Sequence, residues 1–211
     1  MESPRRVLAD IAAARGIRDR RLLEAMRQTP RVRFVPPEHA DLADLDVPVP
    51  IGHEQVTTQP TLVAAMLDAL ELRGHERVLE VGSGYGYQTA LLAQLAGYVW
   101  GVERWADLAT VAEANLTQIG ITNVQIVAGD GSEGLRAHAP FDAIVLCAAF
   151  PQVPPPLVEQ LAVGGRLVQP IGPGGEEEVT LFVKQDARLV PVRRISYAHF
   201  VPLIGSYGFP P

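Results

Sequence analysis

The residues best placed to do chemistry in this 211-residue chain are Val78-Leu79-Glu80-Val81-Gly82-Ser83-Gly84-Tyr85-Gly86, with Glu103 about twenty residues downstream. An apolar run ends in alternating glycines, a helical pattern follows, and a second apolar run ends in an acid. That order describes a strand, a tight turn, a helix and a second strand. In a doubly wound sheet it places an adenosine-type cofactor at the carboxyl edge of the strands. The glycines let the backbone approach the ligand because no Cβ stands in the way. Glu103 then accepts hydrogen bonds from both ribose hydroxyls. The bland alternative is a turn that merely needs positive φ, and the strand–helix–strand context weighs against it.

The spacing narrows the cofactor. A dinucleotide site wants Gly-x-Gly-x-x-Gly, and here the third glycine place falls on Tyr87, which disfavours an NAD-binding oxidoreductase. The third glycine is instead Gly86, and Gly-x-Gly-x-Gly after a strand resembles motif I of class I S-adenosylmethionine methyltransferases. The resemblance implies S-adenosylmethionine as cofactor. Its contacts would be Glu80, Gly82, Ser83, Gly84, Tyr85, Gly86, Glu103 and Arg104, then Gly129, Asp130 and Gly131 beyond the third strand. Asp130 would accept from the adenine amino group, with a simple Asx-turn as its structural alternative.

Elements that could position these residues follow from periodicity. Helical spacing runs over 4–14 and 19–28, the second capped by Asp19 and stopped by Pro30. Residues 30–60 are rich in proline and lack a period; they read as a long ordered connection, uncommon unless it serves a site. Helix resumes at about 60–71 with Pro60 in its first turn. Strands are expected at 77–82, 98–103, 123–128, 141–147 and 166–171, and helices at 86–96, 105–119 and 154–162. Such alternation implies an α/β, doubly wound, mostly parallel sheet of Rossmann-like type. Val179–Lys184 and Leu189–Ile195, split by Gln185-Asp186-Ala187-Arg188, read as an antiparallel hairpin, and Tyr197–Ile204 as a last extended piece. The expectation is one domain with seven strands: N-terminal helices and an active-site loop over 1–60, a cofactor-binding core over 61–175, and C-terminal strands over 176–211.

A closer family resemblance rests on longer segments. Ile51-Gly52-His53-Glu54-Gln55-Val56-Thr57-Thr58-Gln59-Pro60 and Gly129-Asp130-Gly131-Ser132-Glu133-Gly134, closed by Ala139-Pro140-Phe141-Asp142-Ala143-Ile144, stand in the chain. With Arg33-Phe34-Val35-Pro36 and Phe200-Val201-Pro202-Leu203, they resemble the protein-L-isoaspartate (D-aspartate) O-methyltransferases from about Gly16 to Gly208. The resemblance implies methyl transfer to the free α-carboxylate of an isoaspartyl residue in a damaged protein. The ester then closes to a succinimide that reopens partly to aspartate. It implies Thr58 as the hydroxyl that hydrogen-bonds the acceptor carboxylate, with a helix N-cap as its alternative role. Gln55 and Thr57 would contact substrate or cofactor. Val201, Pro202 and Leu203 would offer backbone to the peptide by strand addition.

Four positions depart from the family pattern: Thr58 for serine, Glu54 for glycine, Leu135 for an aromatic residue, and Cys147 for threonine or a small residue. They motivate an alternative acceptor, a dedicated peptide or small-molecule carboxylate. A third possibility is a non-catalytic peptide-binding module, against which the intact glycines, Glu103 and Asp130 count.

The chemistry fits the residues present. A carboxylate nucleophile is already ionised at pH 7, so no general base is required. Charge is lost on the way to the transition state, so a closed, dry site that aligns acceptor and methyl helps. The proline-rich segment 47–60 is the natural lid. Net charge of −6 and a pI near 5.4 argue against a nucleic-acid partner. The nine arginines in the first 33 residues read as solvated helix faces interleaved with Asp10, Asp19 and Glu24. None of the five histidines pairs with another or with Cys147 at ligand spacing, so no metal is expected. A single cysteine, no apolar leader and no membrane-length run fit a cytoplasmic protein, and a monomer is the expectation.

Overall fold

The computed structural model describes residues 4–210, with side chains from residue 7 onward; Arg5 and Arg6 therefore lie outside the described side chains. Helices α1 (Pro4–Ala14) and α2 (Arg20–Gln28) pack together, and the second buries Leu22, Leu23, Ala25 and Met26 on one stripe. Asp19 caps α2 as its sequence position requires, accepting from the amides of Arg21 (2.8 Å) and Leu22 (3.4 Å).

The connection over 30–60 is more structured than its sequence implies. Two short 3-10 turns, Arg31–Phe34 and Pro37–Leu42, lead into a hairpin of β1 (Val49–Gly52) and β2 (Gln55–Thr57) that forms a sheet of its own. Helix α3 (Pro60–Ala69) follows, with Pro60 in the first turn, where a missing N–H costs nothing.

The main sheet has seven strands in the order β5-β4-β3-β6-β7-β8-β9. These are β3 (Arg77–Val81), β4 (Tyr98–Glu103), β5 (Val124–Ala128), β6 (Phe141–Leu146), β7 (Leu161–Ile171), β8 (Glu177–Gln185) and β9 (Arg188–Ala198). The first five run parallel, and β8 and β9 join antiparallel. The crossovers are α4 (Tyr87–Leu95), α5 (Ala106–Gln118) and α6 (Pro155–Gln160). Helices cover both faces, so the central strand is buried on both sides: Val78, Leu79, Glu80 and Val81 are all buried, Glu80 being the one acid among them. One core lies between the sheet and α1–α5; the other, around Trp100, Phe141 and Leu167, lies on the opposite face.

Two boundaries differ from the sequence reading. β7 begins at Leu161 rather than 166, because Gly164-Gly165 does not precede the strand but interrupts it; Leu161 pairs with Phe141 and Arg166 with Ala143. α6 is correspondingly short. The expected last extended piece is split: Tyr197 and Ala198 finish β9, and the stretch around Pro202 pairs with Ala149.

β3 has β4 on one side and β6 on the other, and the chain reverses its winding direction there. The crevice beyond the carboxyl ends of those strands is where such a sheet holds ligands.

Candidate active site

The crevice is built first by the turn after β3. The Gly82 amide donates to the Val102 carbonyl at 2.8 Å, tying the turn to β4. Gly86 has φ +91° and forms the N-cap of α4, and a Cβ there would press on Ala112 and Leu116 of α5 at 3.4 Å. This explains why the third glycine stands one place before Tyr87: the residue that must turn left-handed also lies against the next helix.

Glu103, the last residue of β4, is buried and knits the turn from the far side. Its carboxylate accepts from the Gly84 amide (2.8 Å) and the Trp105 amide (3.0 Å). Two lone-pair positions remain for a ligand. Beside it opens a cleft of about 330 Å³, the size of a small-ligand pocket. Glu103, Arg104 and Trp105 line one side; Ile51 and His53 to Val56 of the hairpin line the second; Val201 to Ile204 the third; Gly82, Gly84 and Gly131 reach it as well.

A second, smaller chamber of about 30 Å³ lies under Thr57 and Thr58, against Ser83, Tyr85, Tyr87 and Gln88. It has room for one water. Ser83 Oγ, Tyr87 Oη and Gln88 Oε1 are all buried without a partner, and all three residues line it. Behind Gln88 lies Glu80, fully buried, accepting from Thr89 Oγ1 (2.5 Å) and Gln88 Nε2 (3.0 Å). Burial, helped by the nearby Glu103 charge, pushes its carboxyl up to about 7 against those hydrogen bonds. Cys147 lines both compartments, and burial holds its thiol well above the ordinary range. A thiol so held stays protonated at neutral pH and is no nucleophile.

The acceptor-side loop is fixed by two residues that periodicity gave no reason to notice. Arg31 is 2% exposed, and its guanidinium donates to the carbonyls of Ala43 (3.4 Å), Leu45 (3.0 Å), Val47 (2.8 Å) and Thr58 (3.4 Å). Burial pulls it below its ordinary value, but an arginine remains charged. Asp46 caps α3 from a distance, accepting from the Thr61 amide (2.9 Å), Thr61 Oγ1 (2.8 Å) and Gln59 Nε2 (2.9 Å), with Arg15 at 3.0 Å. Burial opposes its charge, but these bonds outweigh it and hold the carboxyl below the usual range. Because Asp46 and not Thr58 serves the helix start, the N-cap alternative for Thr58 does not apply. The Thr58 hydroxyl makes no hydrogen bond among the described residues, and Thr58 lines the chamber with Thr57.

The hairpin tip is a two-residue turn, His53-Glu54, with φ +51° and +58°. His53 stacks on Trp105 with ring centres 4.0 Å apart and planes 7° off parallel, and its Nε2 lies 2.8 Å from Asp107. That hydrogen bond holds the Asp107 carboxyl below its usual range. Gln55 lines the cleft but donates its amide to the His53 carbonyl (2.9 Å), bracing the turn.

Three expectations meet a different arrangement. Glu80 lies behind the glycine turn and reaches neither compartment directly. Asp130 Oδ1 accepts from the Ser132 amide (2.9 Å) and hydroxyl (2.6 Å), and Oδ2 from the Ser206 amide (2.6 Å). It therefore makes the Asx-type turn and latches the C-terminal segment, and Gly131 rather than Asp130 or Gly129 faces the cleft. Burial opposes the Asp130 charge, but those bonds hold its carboxyl below the usual range. Finally, Val201–Leu203 already pairs: Ala149 donates to the Val201 carbonyl and accepts from the Leu203 amide, both at 2.8 Å. Pro202 between them has no N–H for a peptide on the other edge, which restricts strand addition there.

Comparison with known proteins bears on the family and the fold. The family model described as protein-L-isoaspartate(D-aspartate) O-methyltransferase matches residues 3–208. The protein-L-isoaspartate O-methyltransferase of Methanoculleus marisnigri is 48% identical over 198 residues, 93% of this chain and 89% of that one. Protein-L-isoaspartate O-methyltransferase 1 of Rhodopseudomonas palustris is 47% identical over 205 residues, 97% and 84% of the two chains. A solved protein-L-isoaspartate O-methyltransferase superposes with a TM-score of 0.86 at 29% identity, covering 97% of this chain and 67% of that one. A Plasmodium falciparum structure in complex with S-adenosyl-L-homocysteine shares the fold, with a TM-score of 0.82 at 24% identity over 96% and 99% of the chains. Matched along nearly its whole length by the family model and by relatives close to half identical, the chain belongs to the protein-L-isoaspartate(D-aspartate) O-methyltransferase family.

Proposed function

We propose that the protein transfers a methyl group from S-adenosylmethionine to the free α-carboxylate of isoaspartyl (and D-aspartyl) residues in damaged proteins, the step that initiates their repair. The observation that carries this reading is the juxtaposition of the Glu103-braced glycine turn with the unengaged Thr58 hydroxyl across two adjoining compartments that share Val56, Gly82, Gly84 and Cys147 as lining. The residues fit the cofactor: a cleft of about 330 Å³, a turn without side chains at its tightest points, and a buried carboxylate with acceptor capacity to spare.

When bound, S-adenosylmethionine supplies a methyl group on a cationic sulfur. The chain's own work is placement. Glu103 would accept from the ribose hydroxyls, and Gly82, Ser83, Gly84, Tyr85 and Gly131 would line the cofactor's place. Thr58 donates to the acceptor carboxylate, with Thr57 alongside. The hairpin and the Val201–Leu203 segment exclude water, which removes the solvation that favours separated charges. Asp130, through Ser206, holds that segment in place. No residue has to remove a proton, since the acceptor carboxylate is ionised at pH 7. The site is complete within one chain, which supports a monomer. No helix among the described residues is long and apolar enough to cross a membrane.

The test is a paired-peptide assay with radiolabelled cofactor. Isoaspartyl peptide is labelled and its aspartyl twin is not. Thr58→Val, which keeps the shape and loses the hydroxyl, lowers kcat/KM by about 10–100-fold, as loss of a hydrogen bond to a charged group should, with S-adenosylhomocysteine affinity unchanged. Equal labelling of both peptides, or of neither, overturns the reading.

A further inference from the structure

Four ionisable residues of the hairpin and β4 end line the cleft, and three of them have partners. His53 is stacked on Trp105 and bonded to Asp107; Glu103 holds two amides; the Arg104 guanidinium lies 4.9 Å over the Trp105 ring. The fourth, Glu54, is exposed and forms no ion pair or hydrogen bond among the described residues. Its place in the backbone is the unusual part. Glu54 is the second residue of the two-residue turn and has φ +58°, a conformation that favours glycine or asparagine and strains a glutamate. Glycine would relax the turn and leave its clamp on Trp105 intact. The chain nonetheless carries a carboxylate at that point.

The turn fixes where that side chain starts. His53 is stacked on Trp105 on one side and Gln55 braces the backbone from the other, so the tip holds the Glu54 backbone at the mouth. Apart from His53, the charged residues that line the cleft are two carboxylates, Glu54 and Glu103, against one guanidinium, Arg104. The acceptor itself arrives as an anion.

We propose that Glu54 sets the sequence preference of the enzyme, favouring isoaspartyl residues flanked by lysine or arginine and disfavouring those flanked by acids. This rests on the reading of the hairpin wall as the acceptor side of the site. A cationic flank gains attraction to Glu54 that offsets the repulsion felt by the acceptor carboxylate, and an acidic flank adds to that repulsion. The interaction is made at an exposed rim. It therefore acts on encounter and binding more than on the chemical step, and salt screens it.

The experiment uses three isoaspartyl peptides that differ only in one flanking residue: lysine, glutamine or glutamate. KM and kcat are measured for the wild-type enzyme, Glu54→Gln and Glu54→Gly, at about 20 mM and about 300 mM salt, either side of the point where the screening length nears 8 Å. The wild type shows KM rising from lysine to glutamate by about three- to fivefold at low salt, with kcat nearly constant and the spread shrinking at high salt. Both variants level the spread. Ordinary turnover with the same spread in wild type and variants overturns the role of Glu54 alone. No turnover of any peptide overturns it together with the reading of the site.

Discussion

The two walls of the active-site cleft are made in different ways. On the cofactor side every contributing residue sits at the end of a regular element: Gly82 after β3, Glu103 ending β4, Gly131 beyond β5, Cys147 after β6. Parallel pairing and buried apolar side chains hold those ends in register. On the acceptor side the hairpin and the 201–209 segment have little regular structure. They are fixed by a few polar fasteners: Arg31 on four carbonyls, Asp46 on Thr61, His53 on Trp105, and Asp130 on Ser206. A wall built from cooperative packing opens only with the whole fold, whereas one fastened at points opens locally at lower cost. A protein substrate needs the second kind.

The hardest strain on that contrast is Arg31→Met. The methionine fills the space but leaves the carbonyls of Ala43, Leu45, Val47 and Thr58 without a donor. The expected cost is about 3–4 kcal/mol of stability by urea unfolding, from buried groups left unpaired. Peptide KM rises at least tenfold, while calorimetry finds S-adenosylhomocysteine affinity within twofold of wild type. A parallel loss of cofactor affinity would mean that the walls are one unit.

The same contrast decides what the sequence disclosed. The apolar run at 78–81, the glycines after it and the acid at 103 are local signals, each within one element, and the structure places them as expected. Arg31 gave no signal because its partners are backbone carbonyls 12 to 27 residues away, which carry no side-chain pattern. Asp46 caps a helix that starts 14 residues later, outside any capping motif. The hairpin was hidden because its turn is His53-Glu54 rather than Asn-Gly, and because Pro50 stands in its first strand. Glu80 read as part of the cofactor motif because an acid before a glycine turn looks available. Its burial depends on Gln88 and Thr89 of the following helix folding back over it.

Glu80 supplies a prediction confined to the cofactor side. The folded chain keeps its proton up to about pH 7, and the unfolded chain releases it near 4.5. Between those values the native state binds more protons, so stability falls as pH rises through the window and levels off above 7. The full difference is roughly 3 kcal/mol. Urea unfolding of wild type and Glu80→Gln from pH 4 to 8 should show the gap changing across that window and flat outside it. A constant gap would mean that Glu80 binds its proton equally well in the folded and unfolded chain.

The smallest effect probes a place where the walls touch through side chains, the His53–Trp105 stack. Ring pairs of this kind contribute up to about 1 kcal/mol. His53→Ala should speed S-adenosylhomocysteine dissociation by about fivefold, followed by stopped-flow fluorescence of Trp105. His53→Phe keeps the stack and loses the hydrogen bond to the exposed Asp107, a contact that solvent largely screens. It should release product at close to the wild-type rate. If phenylalanine is as fast as alanine, the Asp107 bond closes the hairpin and the stack only follows. If neither variant changes release, the hairpin tip does not cover the cofactor, and the acceptor wall closes on the peptide alone.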